Sequence, residues 1–351
     1  MIYIYEYIWL DCDDELRSKT KVSNIEYNIN TLPLWNYDGS STGQAQDKDS
    51  EIILKPVSLF NDPFRTMPNS FLVLCENYTN MMIPLESNLR VYAITILDMY
   101  NSQEPWFGLE QEYFIINPGT GLPLGFTQTT SPKPQSKYYC GIGTENSFGR
   151  NIVEKHLEYC IKANIKIGGI NAEVAPGQWE FQIGPLDNVQ VSDHLWIARY
   201  ILNRVAEEYG YSISYHPKPL GVNADWNGSG CHTNFSTKEM RENDNGYDII
   251  CNAIKNLELN HEYHIKHYGK DNNLRLSGKY ETSSINKFNF GIGNRSTSVR
   301  IPNETFINKK GYFEDRRPAS NINPYVVTTL ILETINKKMN TFGNYPVNYI
   351  I

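Results

Sequence analysis

The segment Trp106-Phe107-Gly108-Leu109-Glu110-Gln111-Glu112-Tyr113-Phe114 constrains this chain more than any other feature. Its aromatic flanks favour a strand, and a strand's period of two puts Glu110 and Glu112 on the same side. Two like charges are thereby held together. Trp179-Glu180-Phe181-Gln182-Ile183 repeats the pattern, with Glu180 and Gln182 pointing one way and Trp179, Phe181 and Ile183 pointing into a core. Asn171-Ala172-Glu173-Val174 and Tyr312-Phe313-Glu314-Asp315-Arg316 each set a further carboxylate among apolar or aromatic neighbours.

Half-buried glutamates side by side are costly unless something positive sits between them, and hard divalent cations with oxygen ligands are the usual solution. His232, within Cys231-His232-Thr233-Asn234-Phe235, could add a nitrogen ligand. Taken singly, each Glu fits the solvated face of an amphipathic strand; taken as a set they ask for a cation. Cys231 beside His232 invites a zinc reading, but one Cys among many Glu is the wrong ligand balance, and magnesium or manganese fits better. Downstream come Arg275, Arg295, Arg300, Arg316 and Arg317, around turns such as Gly291-Ile292-Gly293. Guanidinium groups suit carboxylates and phosphates, although surface ion pairing is the plainer account of any one of them. A metal cluster with an arginine set is what phosphoryl transfer between two anions needs. Neither a phosphate-binding Gly-x-x-x-x-Gly-Lys loop nor a dinucleotide-binding Gly-x-Gly-x-x-Gly is present.

The net charge is −7 over 351 residues, and no basic run is long enough to track a phosphate backbone, so nucleic acid and anionic membranes are poor partners. Met1 to Leu10 contains Glu6, lacks a basic leader and does not read as a signal peptide. Six scattered cysteines without a Cys-x-x-Cys pair point to reduced thiols in the cytosol.

The first eighty or so residues read as strands and turns: Tyr3 to Trp9, the turn cluster Asn36 to Ser41, and the apolar strand Ser70 to Cys75. Near Pro84 the pattern changes, with Ser87 expected to cap a helix carrying Val91, Ile94, Ile96 and Leu97. Helices are expected over Ile152 to Ala163, Asp193 to Tyr209 closed by Gly210, Asp248 to Tyr268, and from Asn323 with Pro324 at the first position. The expected division is a small β-rich domain over residues 1–82 and a mixed α and β domain over 83–351.

Several long motifs, in order along almost the whole chain, resemble the eukaryotic-type (class II) glutamine synthetases. They are Trp35-Asn36-Tyr37-Asp38-Gly39-Ser40-Ser41-Thr42, Trp106 to Tyr113, Asn171 to Val174, Gln178 to Pro185, Gly230 to Ser236 and Gly311 to Pro318. The resemblance implies an α+β fold: a β-grasp N-terminal domain, then a catalytic α/β domain with a curved antiparallel sheet. It implies ATP-dependent ligation of ammonia to glutamate through a γ-glutamyl phosphate, with magnesium or manganese as cofactor.

Carried over residue by residue, Glu112, Glu173 and Glu180 hold one metal, and Glu110, His232 and Glu314 the other. Arg275, Arg295 and Arg316 resemble glutamate and γ-phosphate contacts, and Trp226, Asn227 and Gly228 part of the glutamate pocket. Trp106, Glu110, Glu180, Pro185, Asn234, Ser236, Arg295, Arg300, Tyr312, Glu314 and Arg317 fall on the ATP side. Asp38 matches the residue that deprotonates ammonium in the adjacent subunit's site, and Glu281 the flap glutamate; with Arg295 and Arg300 they form the expected catalytic set. The partners implied are glutamate, ammonium, ATP and further copies of the chain, as pentameric rings stacked in a decamer. Departures from the family pattern are the absence of its leading helix, Tyr280 before the flap glutamate, and altered loops at 118–137 and 220–225.

Overall fold

The computed structural model describes residues 1–127, 134–135, 137–221, 226–279 and 282–337. The expected flap residue Glu281, its neighbour Tyr280, and parts of the two altered loops, at 128–133, 136 and 222–225, lie outside the described residues.

Five strands form the first sheet: β1 (Tyr3–Leu10), β2 (Leu16–Ser23), β3 (Trp35–Asp38), β4 (Glu51–Asn61) and β5 (Ser70–Tyr78), in the order β2-β1-β5-β4-β3. β1 runs parallel to β5, and the other neighbours are antiparallel. Alternation along β1 decides its two faces. Tyr3, Tyr5, Tyr7 and Trp9 build an aromatic core with Leu54, Val73 and Cys75, whereas Ile8 joins Phe60, Leu72 and Leu74 in the main core of the molecule. The ladder between β4 and β5 shifts register between Pro56 and Ser58, next to the one residue of β4 that lacks an N–H to donate.

After α1 (Arg90–Tyr100), the second sheet begins with β6 (Trp106–Asn117) and the short β7 (Leu122–Pro123). Next come α2 (Arg150–Lys162), β8 (Ile167–Ala172), β9 (Gln178–Leu186), α3 (Asn188–Glu208), β10 (Ser212–Ser214) and β11 (Cys231–Ser236). The helices α4 (Lys238–Glu242), α5 (Gly246–Leu259), α6 (His261–His267) and α7 (Asn272–Arg275) precede β12 (Phe290–Ile292) and β13 (Val299–Ile301). Then follow α8 (Asn303–Asn308), β14 (Phe313–Asp315) and α9 (Pro324–Ile335). The curved sheet runs β12-β13-β14-β11-β6-β9-β8, antiparallel except for β12 with β13.

One face of this sheet is core. Leu109, Gln111 and Tyr113 of β6 and Trp179, Phe181 and Ile183 of β9 are buried. Arg199 of α3 reaches through that core to Gln111 Oε1, its Nε at 3.0 Å, which satisfies the buried amide. The opposite face is left to the carboxylates.

The helices depart from expectation at their ends. Ser87 does not cap α1: its hydroxyl accepts from Gln44 Nε2 at 3.2 Å, and the helix opens at Arg90. Asp187, with its side chain accepting from Val189 N and Gln190 N, caps α3, which begins at Asn188, five residues before the expected Asp193. The long helix expected over Asp248 to Tyr268 is broken at Asn260 into α5 and α6. Asn323 caps α9 as expected, with Pro324 at the first turn.

Candidate active site

Cross-strand pairing assembles the site. Glu110 of β6 stands opposite His232 of β11, and Glu112 stands opposite Glu180 of β9. Residues directly opposed in an antiparallel pair are near neighbours, so the register alone brings these side chains together. β14 places Glu314 opposite both Asn234 and Arg300, and Glu173 follows the end of β8. Two clusters result: ligand atoms of Glu112, Glu173 and Glu180 lie within 4.8 Å of one another, as do those of Glu110, His232 and Glu314.

The first cluster is buried and served by neutral donors. Glu112 accepts from Gly230 N at 2.7 Å and Gln178 Nε2 at 3.3 Å, Glu173 from Asn171 Nδ2 at 2.9 Å, and Glu180 from Gln182 Nε2 at 2.9 Å. Burial, then the charges of the neighbouring carboxylates, raises Glu173 to about 8 and Glu180 to about 9. Glu112 rises to about 7 through burial, held back by the Arg275 charge. Amide donors do not cancel charge, so three crowded carboxylates with neutral partners fit a hard divalent cation with oxygen ligands.

In the second cluster His232 Nδ1 lies 3.3 Å from Glu110 Oε2 and 3.5 Å from Glu314 Oε1. Its Nε2 lies 3.2 Å from Arg275 Nη2. Burial lowers the His232 pKa and raises that of Glu110, so the imidazole is kept neutral, as a metal ligand must be. Glu314 also receives Arg300 Nη1 at 2.8 Å and Arg316 Nη1. A nitrogen and two carboxylates at this spacing fit a second divalent cation.

Both clusters face one acidic cavity of about 360 Å³, which Asn227, Gly228, Arg275, Arg295, Arg300 and Arg316 also line. Beside it opens a mostly apolar cavity of about 410 Å³, walled by Trp106, Pro185, Asn234, Ser236 and Tyr312 among others. Glu110 and Gln182 belong to both walls. A flat apolar slot that opens onto a charged chamber suits a ligand with an aromatic end and an anionic end.

Three expected residues stand elsewhere. Arg317 lines neither cavity; it is 1% exposed and forms a two-pronged pair with Asp315. Trp226 packs against Phe126 at 5.1 Å and Tyr138 at 6.3 Å, and its carbonyl accepts from Lys218 Nζ. Asp38, at the end of β3, lines neither cavity of its own chain. Its carboxylate accepts from Ser40 N, Ser40 Oγ and Ser41 Oγ, which lowers its pKa. Gly228 is needed as glycine, because a Cβ there would run into the Pro217 carbonyl and the Arg275 side chain.

Some lining residues escaped the sequence reading. Gln178 sits two residues before Glu180 and carried the same period-two signal. Tyr139 lines the acidic cavity from a loop, where no periodicity marks it. Arg241 of α4 stacks its guanidinium 3.8 Å over the Trp106 ring and donates to Ser236 O and Oγ at 3.1 Å each. No local pattern links it to Trp106, 135 residues earlier by their numbering.

Residues 90–248 match the family described as the glutamine synthetase catalytic domain. The glutamine synthetase cytosolic isozyme 1-1 of Oryza sativa subsp. japonica is 51% identical over 335 residues, covering 94% of this chain and 93% of that relative. The Mus musculus glutamine synthetase is 49% identical over 350 residues, 98% of this chain and 92% of the relative. The fold also aligns with a cryo-EM structure of Plasmodium falciparum glutamine synthetase at a TM-score of 0.77 and 16% identity, over 95% of this chain and 72% of that one. With about half of its residues identical to these relatives over nearly its full length, this chain belongs to the glutamine synthetase family.

Proposed function

We propose that this chain ligates ammonia to the γ-carboxylate of glutamate, with ATP as phosphoryl donor and γ-glutamyl phosphate as intermediate. ATP-dependent glutamine synthesis is the activity of its family, as is the use of a divalent metal. The observation that carries the reading is the joined pair of cavities, one apolar and one acidic, with two ligand clusters and four arginines at the acidic end.

The base of ATP lies in the apolar slot against Trp106, Pro185 and Tyr312, and Asn234 and Ser236 offer polar contacts beside it. Divalent cations held by Glu112, Glu173 and Glu180 and by Glu110, His232 and Glu314 supply the positive charge that lets two anions meet. The hard oxygen ligands favour magnesium or manganese. Arg275, Arg295, Arg300 and Arg316 hold the γ-carboxylate and the γ-phosphate in reach. A γ-carboxylate oxygen attacks the γ-phosphorus and ADP leaves; ammonia then adds to the acyl carbon and phosphate leaves. Glu281, by resemblance, excludes water from the acyl phosphate and receives a proton.

Asp38 lines neither cavity of its own chain, which supports a site completed by Asp38 of a neighbouring copy. We read residues 1–82 as the domain that delivers it, in five-membered rings stacked in pairs. Among the described residues no helix is long and apolar enough to cross a membrane, and the six cysteines are free thiols, which suits work in the cytosol.

The test is phosphate release with ATP, glutamate, ammonium and magnesium or manganese, each omitted in turn. Turnover that survives complete removal of divalent metal, or faster turnover with organic amines than with ammonium, overturns the reading.

A further inference from the structure

Arg317 ties β14 to α6. Its Nε and Nη2 pair with Asp315 of β14 at 2.8 and 2.6 Å, its Nη1 meets His261 Nδ1 at 3.2 Å, and its Nη2 meets His264 Nδ1 at 3.2 Å. A guanidinium offers donors only and a carbonyl only accepts, so His261 presents the lone pair of Nδ1 to Arg317 and carries its proton on Nε2. His261 gives that proton to the carbonyl of Ile285 at 2.8 Å. His264 lies 2.7 Å from Thr334 Oγ1 of α9 through Nε2 and 2.8 Å from Tyr268 Oη through Nδ1. Phe288 lies across His261 at 5.7 Å between ring centres and 5.1 Å from the Arg317 guanidinium.

Ile285 is held from both sides. Its N–H donates to Leu276 O at 2.8 Å, Ser277 bridges Ser284, and the Thr282 hydroxyl sits between Lys279 O at 2.8 Å and Arg275 O at 3.2 Å. Arg275 and Thr282 both line the acidic cavity. β14, at the other end of the relay, carries Glu314 next to Asp315.

We propose that His261 is a positioning residue of the ligase site, joining β14 through Arg317 to Ile285 and Phe288, and so setting Arg275 and Thr282 against Glu314 across the acidic cavity. The proposal rests on the ligase reading above. His261 touches neither cavity, so it acts through its neighbours. The apolar slot contains none of Arg275, Thr282 or Glu314, so the hold of that slot on the base of ATP lies outside the relay.

Two substitutions separate this role from plain packing. His261→Phe keeps a ring against Phe288 and removes both nitrogens; His261→Gln keeps an N–H for Ile285 O and an acceptor for Arg317. We expect His261→Phe to lower kcat/KM for glutamate about tenfold or more, with KM for ATP within about twofold and Tm lower by only a few degrees, since Ile285 O and one Arg317 N–H lose their partner. Amide exchange in a peptide covering Ile285 should quicken about fivefold or more, and His261→Gln should restore both properties to within about threefold of wild type. Unchanged kinetics and exchange in His261→Phe overturn the proposal. So does an equal loss of glutamate and ATP constants alongside a lowered Tm, or a failure of Gln to restore. If the wild type makes no glutamine, the ligase reading falls, and the exchange comparison still decides whether His261 anchors Ile285.

Discussion

Glu180 faces Glu112 across the β6–β9 pair with Gln182 as its side-chain donor, so it carries a conflict between stability and function. Its folded pKa, near 9, and those of Glu112 and Glu173, near 7 and 8, lie above the ordinary value of 4.5. A carboxylate raised in this way stabilises the fold below its unfolded pKa and loses that contribution as pH rises through the folded one. The metal-free protein should therefore lose thermal stability between about pH 5 and 9, and a divalent cation should restore it. Proton release on metal binding near pH 7, with affinity rising as pH rises, checks the same linkage by calorimetry. Glu180→Gln should raise the metal-free Tm at pH 8 by roughly 2 °C or more and abolish ligation. A Tm that falls at pH 8 in that variant contradicts the account. This conflict was legible in residues 110–112 and 180, because a strand's period is two; the matching roles of Tyr139 and Arg241 were not, because loops and distant helices carry no such period.

Single elements owe their ends to local chemistry and their lengths to packing. Asn323 caps α9 by accepting from Tyr325 N at 3.1 Å, and its Nδ2 donates to Asp14 Oδ1 at 3.0 Å, which ties the helix to the β1–β2 turn. Asn323→Ala should cost about 1–2 kcal/mol, read as a Tm lower by a few degrees, with kcat little changed. The cap of α9 could be read from Asn-Pro, whereas Ser87 misled: its hydroxyl is used by Gln44, in the connection between β3 and β4, instead of by a helix. The turn at Gly228, which lines the acidic cavity and which we propose lies on the glutamate side, makes the complementary point. Gly228→Ala should raise KM for glutamate at least about tenfold through collision with Pro217 and Arg275, while ATP binding persists. Equal losses for both substrates would count against a glutamate-side position for that turn.

At the scale of the whole molecule the first sheet has two cores, an aromatic one of its own and one shared with the catalytic layer through Ile8, Phe60, Leu72 and Leu74. Ser58 and Asp193 at 2.5 Å, and Arg90 with both Glu76 and Asp193 at 2.9 Å, add a buried polar seam between the first sheet and helices α1 and α3. Such a seam fixes where β3 and Asp38 are held, which matters if Asp38 serves a neighbouring copy. Asp38→Ala and Glu180→Ala subunits should each be inactive, and mixed assemblies should regain part of the activity, because some interfaces pair an intact Asp38 with an intact Glu180. Full activity in a size-verified monomer, or no rescue in assemblies shown to contain both subunits, refutes a shared site.

The sequence by itself determined which residues could share a face, since alternation at Glu110, Glu112, Glu180 and Gln182 is a property of any strand, and it determined the cap at Asn323. Its long colinear motifs likewise sufficed to point to the family. Only the tertiary structure decided that Glu110 meets His232 and that Glu112 meets Glu180, because register between strands far apart in the chain depends on which faces pack against α3. It alone turned Arg317 away from the cavity. A guanidinium goes where its donors are best matched, and the buried Asp315 carboxylate with the His261 lone pair exists as one site only after β14 and α6 have packed together.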